Sequence, residues 1–135
     1  MYAIKAAIDD VAAPDWVFDR QKTMYGGKHI AAGDTVFVFA SENEGGCGLI
    51  AVGTVVAAAN LPRKPGVERQ TPLVNIRVRC TRQARRALGR AELKPFHDWA
   101  DGRPETELNF KFYRQATNKI VGLSAGTVAF LQAFF

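Results

Sequence analysis

Few side chains in this chain are placed, by type and spacing, to make or break bonds. Its two histidines, His29 and His97, have no cysteine, histidine or carboxylate at metal-ligand spacing. Each reads as an ordinary surface or interface residue. No phosphate loop is present, no G-x-G-x-x-G opens a helix, and no serine is read as a nucleophile elbow. The run Glu42-Asn43-Glu44-Gly45-Gly46 is rich in carboxylates but lacks the length and spacing of a calcium loop, so it reads as a solvated turn. Cys47 and Cys80 are far apart with no C-x-x-C, the pattern of free thiols in a reducing cytosol. The sequence implies no metal and no cofactor, and it reads as a binding protein ahead of an enzyme.

Binding chemistry is better represented. Trp16, Tyr25 and Tyr113 stand outside the regular core pattern. Aromatic faces stack on flat bases for about 1–3 kcal/mol per base, with plain core packing as the alternative for any one of them. Ser41 directly follows an apolar run, beside Phe39. A hydroxyl at a strand end can read the hydrogen-bonding edge of a flipped base held in an apolar slot. The third feature is the series Arg77, Arg79, Arg82, Arg85, Arg86 and Arg90, with few acids between Glu68 and Glu92. The planar fork of arginine donates two parallel hydrogen bonds to phosphate. A solvated face is the other reading of the same series.

These residues need a frame. Tyr2 to Ile8 reads as a first strand. Pro14, suited to the first position of a helix, and Asp15, favourable at its positive end, predict a short helix through Met24, closed by Gly26-Gly27. The apolar, β-branched and aromatic run Thr35 to Ala40 predicts a strand buried on both faces. Leu49 to Ala58 predicts its antiparallel partner, with Gly53 marking a bulge. Pro72 to Cys80 alternates cleanly, with Val74, Ile76, Val78 and Cys80 on one face. Gln83 to Leu93 is helical in composition, Pro95 to Ala100 suggests one more helical turn, and Leu108, Phe110 and Phe112 alternate like a strand. Ser124 is an N-cap candidate for a closing helix carrying Val128, Leu131 and Phe135 at helical spacing.

At 135 residues, 47 % hydrophobic and 23 % charged, the chain has the size and composition of one ordinary globular domain spanning 1–135. No stretch approaches the roughly 20 apolar residues of a membrane helix, and the start lacks the order of a secretory signal. The expectation is a cytoplasmic protein with no membrane partner. The net charge of +5 is compatible with a polyanionic ligand without demanding one. Antiparallel apolar strands with an internal bulge glycine, in a chain this short, favour a small barrel. Phe134-Phe135 at the end suggests a homodimer through the C-terminal helix, or a cap on the barrel.

Two blocks carry a family likeness. Gly33-Asp34 followed by the Val36–Ala40 run and Ser41, then Gly48-Leu49-Ile50-Ala51-Val52-Gly53-Thr54-Val55, resembles the EVE domain of the PUA-like superfamily. The segment Lys119-Ile120-Val121-Gly122-Leu123-Ser124 is similar to that family's closing segment. The resemblance implies an α/β chain of the α+β kind: a PUA-like, small mixed, mainly antiparallel β-pseudobarrel with flanking short helices. It also implies recognition of a modified base, such as methylated cytosine, in nucleic acid, with DNA ahead of RNA. By motif, Phe39 and Ser41 carry over as site residues. Trp16 would be a second wall, and Gln115 and Asn118 would join Ser41 in hydrogen bonding, with the arginines from Arg77 onward holding the backbone. An alternative on the related ASCH-type barrel is a small amidohydrolase acting on acylated nucleosides, for which Lys28 with Glu42 or Glu44 are the candidates.

Overall fold

The computed structural model describes residues 1–135 and forms a closed six-stranded barrel with three short helices. In chain order the strands are β1 (Tyr2–Ala6), β2 (Asp15–Met24), β3 (Thr35–Ala40), β4 (Gly48–Asn60), β5 (Leu73–Gln83) and β6 (Lys119–Gly122). The helices are α1 (Arg90–Leu93), α2 (Pro104–Phe112) and α3 (Ala125–Gln132). Around the barrel the order is β1-β3-β4-β5-β2-β6. β1/β3 and β2/β6 pair parallel and the other neighbours antiparallel, so the barrel is mixed and mainly antiparallel.

Two cores explain why β1 and β3 are apolar throughout. Ile4, Val36 and Val38 point into the barrel with Trp16, Phe18, Ile76 and Val78. Ala3, Phe37 and Phe39 point outward, under a layer formed by Leu108 and Phe112 of α2 and Val128 and Leu131 of α3. A strand covered on both faces cannot alternate apolar with polar residues. Gly53 sits at a register shift against β5, where a Cβ would lie 2.5 Å from the Arg79 carbonyl oxygen and 2.6 Å from Val78 Cγ1. The expected bulge is there, and only glycine fits it.

Three elements differ from the sequence expectation. Residues 15–24 form β2, not a helix. Trp16 and Phe18 are buried while Val17 is exposed, a period of two, and the carbonyl of Pro14 accepts from Cys80 N (2.9 Å), as at the start of a strand. Residues 83–89 are not helical. β5 runs on to Gln83 because the thirteen-residue β4 offers partners as far as Ala51, and cross-strand pairing overrides the helical composition. Only Arg90–Leu93 coils, and Pro95–Ala100 forms turns. Residues 108–112 belong to α2. Pro104 starts that helix, Glu105 and Glu107 lie in its first turn, and Leu108, Asn109 and Phe112 face inward at helical spacing. The closing helix is as expected, with Ser124 Oγ accepting from Thr127 N.

The C-terminal aromatics cover the outer core. Phe134 is nearly buried and lies under the Arg86 guanidinium, 4.4 Å from the ring centroid, and Phe135 packs on Phe37. The apolar surface expected to make a homodimer is thus used within the chain. No helix is long and apolar enough to cross a membrane.

Candidate functional site

The register of β1 defines two ends of the barrel. Tyr2 lies beside Gly122 and Val36 at one end, and Lys5 and Ala6 lie beside Lys119 and Ala40 at the other. Ser41 follows Ala40 at this second end. Its N–H donates to the carbonyl of Ala6 (2.9 Å), and its own carbonyl accepts from Glu44 N (3.1 Å) and Gly46 N (2.8 Å). The serine is thereby fixed by its backbone alone. Its Oγ is fully buried and has no hydrogen-bond partner. The same holds for Oδ1 of Asn118, whose Nδ2 lies 3.5 Å from a Glu44 carboxylate oxygen. Buried polar atoms are almost always paired. Two orphans on adjoining segments therefore mark this mouth.

A cavity of about 390 Å³ opens at this end, with Asn118 in its lining. Ala6 and Ala7 after β1, residues 17–22 of β2, Glu44, and the 116–118 loop line it. That volume is within the roughly 300–1,000 Å³ typical of small-ligand pockets. Behind the mouth lies a polar layer. Lys5 and Lys119, both buried, are register partners on β1 and β6. Lys5 Nζ donates to the Phe112 carbonyl (2.7 Å) and sits 5.0 Å from the Tyr113 ring centroid. Lys119 Nζ donates to the Gln115 carbonyl (3.1 Å). Burial, aided by the positive charge of Lys119 and opposed by Glu42, pulls the Lys5 pKa down to about 8. Burial, then Lys22, lowers that of Lys119 as well. Tyr113 O–H donates to Glu42 (3.0 Å), and burial together with that carboxylate pushes the phenol far up, so it stays neutral. Glu42 also accepts from Arg90 N (2.6 Å), which ties the turn after Ser41 to α1.

The sequence-predicted residues fall in different places. Asn118 lines the mouth, Ser41 is buried at the same end of the barrel, and Tyr113 lies in the layer behind. Gln115 adjoins them, but it contributes its backbone carbonyl and its side chain is exposed. Trp16 is 7 % exposed inside the barrel, where its indole N–H donates to the Asp10 carbonyl (2.9 Å). Phe39 is fully buried in the outer core, 5.1 Å from the Phe112 ring. Neither ring presents a face to the cavity, because each is held by the chain's own packing. Tyr25 lies at the opposite end, where its carbonyl accepts from Gly122 N.

The arginines share no helix and are dispersed. Arg77 and Arg79 are exposed on β5, Arg82 faces a shallow depression with Thr35 and Gln132, and Arg85 and Arg86 bond the C-terminus through Phe134 and Ala133. Arg90 is bound to Asn43 (2.8 Å). Lys5, Lys119 and Arg20 escaped the sequence reading. A lysine in the otherwise apolar strand Tyr2–Ala6 was the available signal for the first.

The arrangement offers hydrogen bonds, not a nucleophile with its base. Lys28 lines a separate cleft with Arg63 and Lys64, so the structure does not bring it to Glu42 or Glu44. The only lysine–carboxylate pair is Lys111–Glu107 (3.2 Å). The string Gly122-Leu123-Ser124-Ala125-Gly126 does match G-x-S-x-G, and it lies between a strand and a helix. Ser124 is nevertheless a cap. Its φ of −69° is ordinary, its Oγ contacts Thr127, and no histidine bonds to it.

No family model matches the sequence, and no curated protein matches it. Solved structures match along almost the whole chain. The DUF55 domain of human thymocyte nuclear protein 1 is 19 % identical with a TM-score of 0.62, and the match covers 98 % of this chain and 96 % of that one. The human THYN1 protein in complex with 5-methylcytosine-containing DNA is 18 % identical with a TM-score of 0.63, covering 98 % and 95 %. A protein from Pseudomonas putida is 14 % identical with a TM-score of 0.65, covering 98 % and 97 %. The chain therefore has the fold of the EVE/PUA-like domains.

Proposed function

We propose that this chain is a nucleic-acid-binding module that accepts a modified or flipped base, in DNA ahead of RNA, at the mouth between Ser41 and Asn118. The observation that carries the reading is the buried, unpartnered Asn118 Oδ1 in the lining of an open cavity, with the unpartnered Ser41 Oγ buried at the same end of the barrel. Leaving such an atom unpaired costs about 1–3 kcal/mol, and a base edge presents the donors and acceptors that would satisfy it. Ser41 Oγ can donate or accept, and Asn118 Oδ1 accepts. Ala6, Ala7 and Val17 give the ring an apolar wall in place of a stack of aromatics. Lys5 and Tyr113 hold the floor and the Glu42 turn in place. Discrimination follows because a base with the wrong edge leaves these buried groups unpaired. The shared fold with a protein seen on 5-methylcytosine-containing DNA supports the same reading.

The test is fluorescence anisotropy at low salt with three labelled duplexes. They carry one 5-methylcytosine, one unmodified cytosine, or one mismatched cytosine that is cheap to extrude. The expected result is binding to the set, tighter for the modified or the mismatched site. No affinity for any of the three, or equal affinities that Ser41→Ala leaves unchanged, overturns the reading.

A further inference from the structure

A cavity larger than the mouth described above lies on the other side of Arg20. It is a cleft of about 860 Å³ between the β4–β5 loop (61–72) and β2, joined by the turn at Gly27–His29. Arg20, Lys28, His29, Arg63 and Lys64 line it, and none of its thirteen lining residues is acidic. The two ion pairs of the molecule, Arg103–Asp101 and Lys111–Glu107, involve none of these cations. The frame beneath them is fixed. Gln70 bridges the loop, with Nε2 donating to the carbonyls of Lys64 and Val67 (both 2.7 Å) and Oε1 accepting from Lys64 N (2.8 Å). Arg63 is braced on the Glu68 carbonyl (2.9 Å), and Thr23 Oγ1 donates to the Pro72 carbonyl (2.8 Å).

Arg20 belongs to both cavities. It sits at the irregularity of β2 between Phe18 and Gln21, with a left-handed φ of 53° and its N–H held by Asn75 Oδ1 (2.7 Å). Non-glycine residues take this backbone region at a cost of about 1–2 kcal/mol. The bulge carries a long cation to the seam between the mouth and the cleft.

The geometry points to this cleft as the seat of the phosphodiester backbone of the strand whose base enters the mouth. This rests on the proposed function, and it assigns the phosphates to Arg20, Lys28, Arg63 and Lys64 in place of the dispersed arginines of β5 and the C-terminal face. Guanidinium forks and ammonium groups without carboxylate partners, in a concave site, are suited to successive phosphates. The neighbouring base then lies one short step away, across Arg20.

The experiment uses the full chain and two probes, with thermal melting to confirm each variant is folded. An unmodified single-stranded oligothymidylate reports the backbone alone, and the 5-methylcytosine duplex reports backbone and base. The variants are R63A/K64A, R20G, whose glycine accepts the left-handed φ, and R77A/R79A as a control. For oligothymidylate, the slope of log affinity against log salt should shrink by about 1.4 in R63A/K64A, at roughly 0.7 for each phosphate that is no longer neutralised. R20G should weaken binding, and R77A/R79A should leave the slope as in the wild type. No oligothymidylate binding at low salt, or an unchanged slope in R63A/K64A, overturns the inference. If the cleft variants lower oligothymidylate affinity while wild type does not distinguish modified from unmodified duplexes, the base reading fails and the cleft stands.

Discussion

Replacing Ser41 by alanine should make this protein more stable while it binds nucleic acid less well. The hydroxyl is buried on a residue only 1 % exposed and has no partner. An unpaired hydroxyl in such a place costs about 1–3 kcal/mol. Removing one oxygen leaves a gap smaller than a methylene, worth under about 1 kcal/mol. The Ser41 backbone bonds to Ala6, Glu44 and Gly46 are untouched by the change. The net expectation is a gain of about 1 kcal/mol, or roughly 2–5 °C in melting temperature for a chain of this size. Urea unfolding at pH 7 with unchanged slope measures it. The same variant loses one ligand hydrogen bond, about 0.5–1.5 kcal/mol. That is a two- to twelve-fold weaker affinity for the modified duplex. A loss of 1 kcal/mol or more of stability would refute the reasoning, because the hydroxyl would then be serving the fold and not a ligand.

Three further outcomes are expected. The unfolded chain holds the Lys5 proton up to 10.5 and the folded chain releases it near 8, so stability rises as pH increases from about 8. The drop is worth roughly 3 kcal/mol in full, and screening at the open mouth cuts it to about 1–2 kcal/mol. Urea midpoints at pH 7.5 and 9.5 should therefore rise less in Lys5→Met than in the wild type, and an identical rise would contradict the burial argument. Gly53→Ala should cost about 1–3 kcal/mol by equilibrium unfolding, since its Cβ meets the Arg79 carbonyl at 2.5 Å and backbone cannot easily give way. Tyr113→Phe removes a bond to the Glu42 carboxylate and should cost about 1–2 kcal/mol, because Glu42 keeps Arg90 N. A change below 0.3 kcal/mol, by the usual order of uncertainty in such cycles, would mean the pair contributes nothing.

The β3–β4 hairpin was legible because its runs are rich in β-branched and aromatic residues and are bounded by turn residues, and Gly53 announced the bulge. The closing helix was legible through the Ser124 cap. β2 was not. Pro14-Asp15 imitates a helix start, and the irregularity at Asp19-Arg20 breaks the alternation after Phe18, so the pattern of two has only Trp16, Val17 and Phe18 to show itself. α2 failed for the opposite reason. Leu108, Phe110 and Phe112 alternate by coincidence, and the true inward set, Leu108, Asn109 and Phe112, contains a polar residue that bonds the Phe96 carbonyl. At the site, Ser41 could be placed because it ends a readable strand. Lys5 left one signal, a lysine in an otherwise apolar strand, but the layer that buries it is long-range, and Arg20 is aimed by a left-handed bulge that arises only in three dimensions.

The most direct test of the central claim is a map of amide shifts in 15N-labelled protein titrated with the 5-methylcytosine duplex. The account predicts that the amides of Ala6, Ala7, Ser41, Glu44, Thr117 and Asn118 move first and farthest, and that Ser41→Ala reduces those shifts. Shifts confined to the opposite end of the barrel, around Tyr25 and Gly122, would contradict it.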